Sequence, residues 1–374
     1  MKSVLHVLSK GHIGGAERAV FALAGHQQRQ GDRQVALGFA QASGPYAELA
    51  RDSGLRIVDF HLSSGRDLLA LARARKLFGQ FDIHHFHVAE PVLMLASIAS
   101  PGAQRVYTHR GGVTTYEGRR VWRYRAAGRL LARFDAVTGT AQAAAAAQLA
   151  FGICSREVAP TFNGLDFSLL EGSDGARDRL RAEHGVAPGT VIVGTAASLR
   201  AWKRIDWLID AAAGLCAQDC VVWIVGDGPD RRRLEELAAR SPAGDRVRFM
   251  GMQLDIADWL RCLDVFVLPS GPVESFGNAV VEAMACNLPA VVSADCPAHL
   301  QHVQDGNTGV VVRDADELAA CLRELVADPQ LRARLGAAAT AFVRRNYTMT
   351  RAAESFEAVY RGLGQAARTR RAVC

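Results

Sequence analysis

The sequence has few cysteines and none of the spacings that hold structural zinc. Its 374 residues include eight cysteines, of which only Cys216 and Cys220 fall close together. Because no C-x-x-C pair is present, we expect neither a structural zinc site nor a disulfide framework. Free thiols fit a reducing compartment, so the expected location is the cytoplasm.

Long apolar runs are also missing. No stretch has the length that a membrane-spanning helix needs. The apolar segment at the N-terminus is short and is interrupted by His6, which argues against a secretory signal. Apolar residues nevertheless make up 49% of the chain, enough for a large core. A length of 374 residues indicates two or three domains rather than one.

Acidic residues are scarce in one segment. The chain has a net charge of +6, and residues 116–134 carry six arginines against the single acid Glu117. A solvated helix face explains such a patch as well as an anionic partner does. The interleaved aromatic residues favour an anionic membrane surface or a phosphorylated glycolipid, and without a recognition module nucleic acid is not expected. The residues expected at a membrane are Arg119, Arg120, Trp122, Arg123, Arg125 and Arg129.

Apolar runs of strand length alternate with amphipathic stretches through most of the chain. Strands rich in Val, Ile and Phe, each followed by a helix, predict an α/β protein with parallel sheets covered on both faces. In the first half the predicted strands are Val4–Ser9, Gln34–Ala40, Leu55–Phe60, Asp82–Val88, Arg105–Arg110 and Asp135–Thr140, and the predicted helices include Ala16–Gln30, Arg66–Phe81 and Arg119–Phe134. In the second half the predicted strands are Val191–Ala197, Cys220–Val225, Arg246–Met250, Asp264–Leu268, Ala290–Ser293 and Gly309–Val312, followed by a wholly helical end.

Two doubly wound, Rossmann-like domains are therefore expected. Residues 163–190 interrupt the alternation with Gly, Asp and Pro, and predict an interdomain linker. The predicted domains are residues 1–165 and 166–348, with a C-terminal helix at about 349–374 packing back on the first. Ligands of such sheets bind beyond the carboxyl ends of the strands, so a cleft between two facing sheets is the expected site.

Two glutamates stand eight residues apart in the otherwise apolar segment 271–293. Glu274 follows a predicted strand, and Glu282 lies in the second turn of the predicted helix. The backbone amides of residues 276–278, at the start of that helix, suit a phosphate or a sugar hydroxyl. Carboxylates accept hydrogen bonds from sugar hydroxyls. The segment therefore predicts a site for a polyhydroxylated, phosphorylated ligand.

The stretch PSGPVESFGNAVVEAMACNLPAVVS resembles the E-x7-E motif of the family 4 glycosyltransferases, which are retaining enzymes with two Rossmann domains, the GT-B fold. Further family-like stretches extend along the chain. GGAERAV resembles the glycine-rich first loop, FNGLD the interdomain hinge, SLRAWKRIDWLI the phosphate-binding segment and GDGPDRRRLE a C-terminal strand-turn-helix. The set is specific, although no single stretch suffices. It implies transfer of a sugar from a nucleotide-diphosphate sugar to an acceptor.

The resemblance also implies a role for each matching residue. Glu282 holds the nucleotide ribose, whereas Glu274 holds hydroxyls of the donor sugar and stabilises positive charge at its anomeric carbon. The other implied contacts are the amides of Phe276, Gly277 and Asn278 on sugar and diphosphate, Arg200 and Lys203 on the diphosphate, Gly14 and Gly15 in the first loop, and His109 near donor sugar and acceptor. In the family the leaving phosphate helps to deprotonate the acceptor, so no protein base, metal or cofactor is expected.

The chain departs from the family pattern at several positions. Ser198 stands where the family has arginine and Arg204 where it has glycine, and either Arg200 or Arg204 could supply the missing charge. The family G-x-P begins here with Asn287, and Gln301 replaces a common glutamate.

Two other patterns suggest ligands but are incomplete. His85 and His87 share one face of a strand, but no carboxylate or cysteine completes a metal set, so we expect them to line the cleft as polar walls. The stretch GDGPDRR has Arg231 where a dinucleotide fingerprint needs its third glycine, which argues against NAD. A structural role for His109 explains its position as well as a catalytic one does.

The acceptor and the donor base are open at this point. A cell-surface glycan or glycolipid such as a lipopolysaccharide core fits the basic segment, and a soluble small molecule is the alternative. The base pocket is expected at residues 251–253. Two other functions use the same site: a nucleotide-sugar epimerase, and a binding module that keeps nucleotide-sugar affinity without turnover.

Overall fold

The computed structural model describes residues 2–10, 14–62, 68–110, 128–140, 159–215, 219–253 and 255–372. The chain divides into two compact units, Met1–Leu165 with Tyr347–Cys374, and Asp166–Asn346. The first boundary falls where the sequence predicts it. The chain returns to the first unit at Tyr347, slightly ahead of the predicted position 349. Within the described ranges no helix is both long enough and apolar enough to cross a membrane.

The first unit is built on a seven-stranded sheet in the order β3-β2-β1-β4-β5-β6-β7, in which every pair is parallel. Strand β7 has only two residues, too few to produce a sequence pattern, and was not predicted. The strands are β1 Val4–Lys10, β2 Val35–Gln41, β3 Arg56–Asp59, β4 Ile83–Phe86, β5 Gln104–His109, β6 Ala136–Gly139 and β7 Ala159–Pro160. The described part of this unit contains the helices Gly15–Gln30, Pro45–Asp52, Leu68–Phe78, Pro91–Ile98 and Met349–Ala372.

The C-terminal helix Met349–Ala372 packs on the first sheet. Phe356 and Tyr360 are 1% and 3% exposed and belong to one buried apolar cluster with Val4 and Ile83 of the central strands. Burial of large apolar side chains, at about 25 cal/mol per Å², stabilises this attachment. The helix therefore belongs to the first unit, although it follows the second unit in the sequence. Of the predicted basic segment, residues 116–127 lie outside the described residues. Phe134 is buried in the core rather than available to a membrane.

The second unit contains a six-stranded parallel sheet in the order β10-β9-β8-β11-β12-β13. The strands are β8 Val191–Ala196, β9 Cys220–Val225, β10 Val247–Gly251, β11 Val265–Leu268, β12 Ala290–Ser293 and β13 Gly309–Val312. The α-helices are Ala176–Glu183, Ile205–Ala213, Arg231–Arg240, Ile256–Cys262, Asn278–Ala285, Pro297–Leu300, Ala315–Ala327 and Pro329–Asn346, and 3-10 helices lie at Phe167–Leu170, Ala201–Lys203 and Gly244–Arg246.

The order of these strands creates a topological switch point. Strands β9 and β10 lie on one side of β8, and the chain then crosses to β11, which lies on the other side of β8. The loops that leave the carboxyl ends of β8 and β11 therefore diverge and leave a crevice between them, which is where ligands bind in open parallel sheets.

The prediction of a linker over residues 163–190 is wrong for most of that range. The chain leaves the first unit at Leu165, and the following residues pack into the second unit. Leu180 is only 9% exposed, and Arg177 Nη2 lies 2.6 Å from Asp264 Oδ1 at the base of β11. The Gly and Pro residues of this stretch terminate short elements of the second unit rather than mark a free linker.

Two departures from the family pattern keep the backbone that glycine would adopt. Arg204 has φ 51° and Asn287 has φ 65°. Both values lie in the left-handed region, where a side chain costs about 1 kcal/mol or more, with asparagine tolerated better than most residues. The backbone at both positions therefore adopts a conformation that favours glycine, although neither residue is glycine.

Candidate functional site

Both predicted glutamates follow β11, one of the two strands at the switch point of the second sheet. Strand β11 ends at Leu268, an irregular segment carries Glu274, and the helix Asn278–Ala285 follows with Glu282 inside it. Glu282 is 6% exposed, so it does not lie on the solvated helix face that would explain an acid there without a ligand. A buried carboxylate needs polar partners.

Lys203 and Glu274 form an ion pair across the switch point. Lys203 ends the 3-10 helix that follows β8, and its Nζ donates to Oε2 of Glu274. The two side chains are 11% and 15% exposed. Ser270 Oγ lies 3.5 Å from the same oxygen. Seventy-one positions separate the pair in the sequence, and adjacency of β8 and β11 brings them together.

The charge environment keeps Glu274 ionised. Burial raises the pKa of its carboxyl, but the charge of Lys203 and the hydrogen bond that Lys203 donates more than offset this, so the pKa lies below its usual value. A carboxylate that stays charged in a partly buried crevice is suited to accept hydroxyl hydrogen bonds and to stabilise positive charge.

Gly277 begins the helix in a conformation that only glycine adopts readily. Its φ is 84°, and a Cβ built on it would lie 2.5 Å from Cδ2 of His299. Phe276, immediately before it, is 3% exposed, and its carbonyl accepts a hydrogen bond from Nε2 of His302 at 2.6 Å. Two buried histidines, His299 and His302, therefore pack against the start of the helix. Amides of a helix's first turn lack intrahelical acceptors and favour anions and hydroxyls.

His299 is a member of this site that the sequence did not reveal. It is 0% exposed, and neither ring nitrogen has a hydrogen-bond partner among the described residues. Its Nε2 lies 3.9 Å from Oε2 of Glu274. Burial lowers its pKa to about 3 against the opposing effect of Glu274. The Leu268 carbonyl also faces the ring and favours the charged form, but this contact falls outside hydrogen-bond geometry.

The two arginines that could replace the missing family arginine have different environments. Arg204 donates to both carboxylate oxygens of Asp295, at 2.9 and 2.6 Å, and lies over the Trp207 ring. Arg200 is exposed and lies over Trp202, and among the described carboxylates none comes within ion-pair distance of it. Arg200 is therefore the guanidinium available to an anionic ligand.

A polar concavity of about 680 Å³ lies at the opposite edge of the second sheet. Asp264 and Pro289, which line it, immediately precede β11 and β12 and so mark the amino ends of the strands. Its arginines are already engaged, since Arg177 pairs with Asp264 and Arg261 donates to the Leu170 carbonyl. We do not place the ligand there, because parallel sheets bind ligands at carboxyl ends.

The predicted residues of the first unit lie at the carboxyl edge of its sheet. His109 is the last residue of β5 and is 3% exposed. Gly14 precedes the helix Gly15–Gln30 with φ −157°, which any residue can adopt. A Cβ at Gly14 would meet Oε2 of Glu17 at 2.4 Å, the end of a flexible side chain. Neither conformation nor packing therefore requires glycine at position 14, which leaves close approach of a ligand as its predicted reason.

The prediction that His85 and His87 line a cleft is wrong, because they are 0% and 4% exposed. They form a buried cluster with His6 in which candidate ligand nitrogens lie within 4.8 Å of one another. Both nitrogens of His85 are bonded within the unit, Nδ1 to the Tyr360 hydroxyl and Nε2 to the Thr108 hydroxyl, each at 2.6 Å.

The other two histidines form a chain of hydrogen bonds with a single direction. Arg110 Nε donates to Nδ1 of His87 at 3.0 Å, so neutral His87 carries its proton on Nε2 and donates to Nδ1 of His6 at 2.9 Å. His6 in turn donates from Nε2 to Oε1 of Gln27 at 2.8 Å. All six ring nitrogens of the cluster are bonded to protein groups, so we assign it a structural role rather than metal binding.

Comparison with known proteins agrees with this arrangement. Residues 13–169 match the model for glycosyltransferase family 4, and residues 189–328 match the model for glycosyl transferases group 1. The chain is 34% identical over 211 residues to the D-inositol 3-phosphate glycosyltransferase of Streptomyces bingchenggensis, covering 52% of this chain and 46% of that protein. It is 32% identical over 212 residues to the lipopolysaccharide core biosynthesis mannosyltransferase LpcC of Rhizobium leguminosarum bv. viciae, covering 54% of this chain and 58% of that protein. The match thus spans about half the length of these curated relatives.

The fold also has a close counterpart among solved structures. Anabaena HepE, crystallised in complex with UDP and glucose, superposes with a TM-score of 0.86 at 22% identity, covering 97% of this chain and 100% of that chain. The two family models together cover most of the sequence, and the fold is that of the GT-B enzymes. The chain belongs to the family 4 glycosyltransferases.

Proposed function

We propose that this protein transfers a sugar from a nucleotide-diphosphate sugar to an acceptor and retains the anomeric configuration. One observation carries the proposal. At the switch point of the second sheet, the Lys203–Glu274 ion pair lies beside the helix that starts at Gly277 and contains the buried Glu282. A cation, two carboxylates and a helix start are the groups that a diphosphate, a sugar and a ribose require.

Each of these groups has a proposed part in donor binding. Glu282 accepts hydrogen bonds from the ribose hydroxyls, and Glu274 accepts them from the donor sugar. The amides of Phe276, Gly277 and Asn278 contact sugar and diphosphate. Lys203 and Arg200 neutralise the diphosphate as it leaves, which stabilises the charge that develops in the transition state. That HepE has been crystallised with UDP-glucose supports a donor of this class.

The acceptor is proposed to be a cell-envelope glycan or glycolipid bound by the first unit. LpcC, which acts in lipopolysaccharide core biosynthesis by its name, supports this class. His109 is proposed to lie near the donor sugar and acceptor, and Gly14 and Gly15 to let the backbone approach the diphosphate. The leaving phosphate is proposed to take the acceptor proton, without a metal or a further cofactor. Treatment with EDTA is then expected to leave the rate unchanged.

We also propose a cytoplasmic location with peripheral contact at an anionic membrane through residues 119–129. Co-sedimentation with vesicles containing phosphatidylglycerol tests this contact. Binding that weakens when Arg119 and Arg120 are replaced by glutamate supports it. Equal binding by the variant and the wild type contradicts it.

The proposed donor is tested by thermal shift and by hydrolysis. The purified protein is incubated with UDP-, GDP-, ADP- and TDP-sugars and with the corresponding diphosphates. A rise in Tm with at least one nucleotide and slow release of its sugar are expected, and the absence of any shift with the whole panel contradicts the proposal. Conversion of the donor sugar without an acceptor indicates an epimerase instead. The anomeric configuration of the product, measured by NMR, tests retention.

The assignment of Glu274 is tested by Glu274→Ala. We expect this variant to lose transfer by about 100-fold or more, as when one preorganised electrostatic group is removed from an active site, while nucleotide binding through Glu282 persists. Glu236→Ala is the matched control, because Glu236 is 52% exposed and pairs with Arg232 in its own helix. Binding without turnover in the wild type as well indicates a binding module.

A further inference from the structure

Oxygen Oε2 of Glu274 is approached by three groups of the second unit. Lys203 Nζ donates to it, Ser270 Oγ lies 3.5 Å away, and His299 Nε2 lies 3.9 Å away. The Ser275 backbone amide also donates a hydrogen bond to this carboxylate. His299 is too distant for a hydrogen bond, since an N–H···O bond spans at most about 3.2 Å between the heavy atoms.

An imidazole in this state is unusual. His299 is 0% exposed, and both ring nitrogens lack hydrogen-bond partners among the described residues. A buried polar group without a partner is costly, by about 1–3 kcal/mol for an ordinary donor or acceptor, and a leucine or isoleucine would fill the space without that cost. The ring also lies where a side chain of Gly277 would be, at 2.5 Å from its virtual Cβ. Its position therefore constrains both the helix start and the carboxylate.

We propose that His299 is a positioning residue for Glu274, and that its Nε2–H becomes the hydrogen-bond partner of Oε2 when Lys203 turns to the diphosphate of the donor. This inference rests on the proposed function of the site. In the unliganded site Lys203 neutralises Glu274. With a nucleotide-diphosphate sugar bound, the lysine has a second anionic partner, and the carboxylate needs another donor to keep its orientation.

A neutral imidazole is suited to this exchange. Its N–H fixes the carboxylate by a hydrogen bond without adding a positive charge that would cancel the charge of Glu274. Burial lowers the pKa of His299 to about 3, so the ring is neutral at physiological pH. Because an ionised carboxylate only accepts hydrogen bonds, the proposed exchange requires the single ring proton on Nε2. Glu274 thereby keeps its full negative charge for the cation-like transition state of the donor sugar.

Three substitutions separate this role from simple packing. The amide nitrogen of glutamine can occupy the place of Nε2, that of asparagine only the place of Nδ1, and leucine supplies volume alone. We expect His299→Leu and His299→Asn to lower kcat by roughly 10- to 100-fold, the effect of one hydrogen bond to a charged group. We expect His299→Gln to retain kcat to within about fivefold of the wild type.

Binding of UDP or GDP, whichever shifts the Tm of the wild type, provides the second measurement. The Kd of the nucleotide is expected to stay within about twofold of the wild-type value in all three variants. The proposed reason is that Glu282, Arg200 and Lys203 hold the ribose and the diphosphate. Calorimetric Kd and Tm are measured on the same preparations. We therefore expect kcat to fall only in His299→Leu and His299→Asn, the two variants without a donor at the position of Nε2.

Three results would overturn the inference. Full activity of His299→Leu shows that the imidazole is not needed. Equal loss in all three variants shows that ring shape matters rather than the Nε2 donor. Loss of nucleotide affinity in parallel with kcat shows that His299 only supports the helix start at Gly277. These results are distinct from failure of the proposed function, in which the wild type itself neither binds nor turns over any nucleotide sugar.

Discussion

Lys203 and Glu274 lie seventy-one positions apart in the sequence, yet their side chains form one ion pair that is almost closed to solvent. The pair is possible because β8 and β11 are neighbours and their carboxyl ends open in the same direction. A partly buried pair of this kind contributes little net stability, but removal of one partner leaves a charge in a poor environment. The pair therefore indicates a site that is prepared for ligands rather than one that holds the fold together.

A double-mutant cycle should show this coupling. Lys203→Met leaves Glu274 buried without its cation, and we expect a loss of about 3 kcal/mol in the free energy of unfolding. The double variant Lys203→Met/Glu274→Gln should recover part of that loss, with a coupling energy of about 1–3 kcal/mol in urea unfolding. Additive losses would show that the two side chains act independently.

The same pair predicts a reversal of pH dependence. In the wild type the pKa of Glu274 is lowered, so its contribution to stability is present above the unfolded pKa and is lost as pH falls. In Lys203→Met burial is no longer offset by the lysine and raises that pKa, so folding favours the protonated carboxyl. Stability of the variant relative to the wild type should then increase between pH 6 and pH 4. A constant difference over this range would contradict the assignment.

Gly277→Ala should damage the site by two effects that a second variant separates. Alanine at φ 84° is strained, and its Cβ would overlap the His299 ring at 2.5 Å. Gly31 has φ 73° with nothing within 4 Å, so Gly31→Ala measures the conformational cost alone, about 1 kcal/mol. We expect Gly277→Ala to lose about 1–3 kcal/mol more than this control and to lose nucleotide binding. Equal losses of stability in Gly277→Ala and Gly31→Ala, measured by thermal unfolding, would mean that the His299 ring moves aside at little energetic cost.

Arg200 and Arg204 should differ in their effect on diphosphate binding. Arg200 is exposed and is not paired with any described carboxylate, whereas Arg204 is held by Asp295. Arg200→Ala is expected to weaken nucleoside diphosphate binding roughly tenfold at low salt and less at high salt. Arg204→Gly is expected to leave this binding within about twofold of the wild type, because Asp295 already holds the Arg204 guanidinium. Calorimetry at two salt concentrations distinguishes them, and the reverse order would reassign the family arginine to Arg204.

Acid should destabilise the first unit through its buried histidines. Burial lowers the pKa of His6 and His84 to about 4, and the pKa values of His85 and His87 lie well below their usual value. An unfolded histidine has a pKa near 6.5. Between pH 6.5 and 4 the unfolded chain therefore binds protons that the folded chain does not, and each histidine lowers the free energy of unfolding by up to about 1.4 kcal/mol per pH unit. Above pH 7 this effect is absent.

Urea unfolding at pH 7.5, 6 and 5, followed by circular dichroism, measures that slope. His6→Gln should reduce the slope by up to one proton while lowering stability at pH 7.5. His61→Asn is the control, since the His61 side chain is 75% exposed and asparagine tolerates its left-handed φ. A slope that His6→Gln leaves unchanged would show that this histidine is not among the groups responsible.

The sequence was most informative where local pattern and long-range position coincide. Alternation of apolar strands with helices predicted both sheets, and the E-x7-E segment predicted a strand, a loop and a helix that the structure contains over β11 to Ala285. Burial of Glu282 followed from its apolar helical neighbours. The sequence-based prediction failed for residues 163–190. Gly and Pro residues end short elements inside a domain as well as marking linkers between domains, so their presence does not distinguish the two cases.

What the sequence by itself determined is the order of elements and the chemistry available at strand ends, because hydrophobic periodicity and turn residues act over a few neighbours. Only the tertiary structure decided which strand ends meet. It brought Lys203 to Glu274, placed His299 beneath Gly277 and enclosed His85 and His87 behind the C-terminal helix. Contacts between residues so distant in the chain are set by strand order and helix packing, and no local pattern records them.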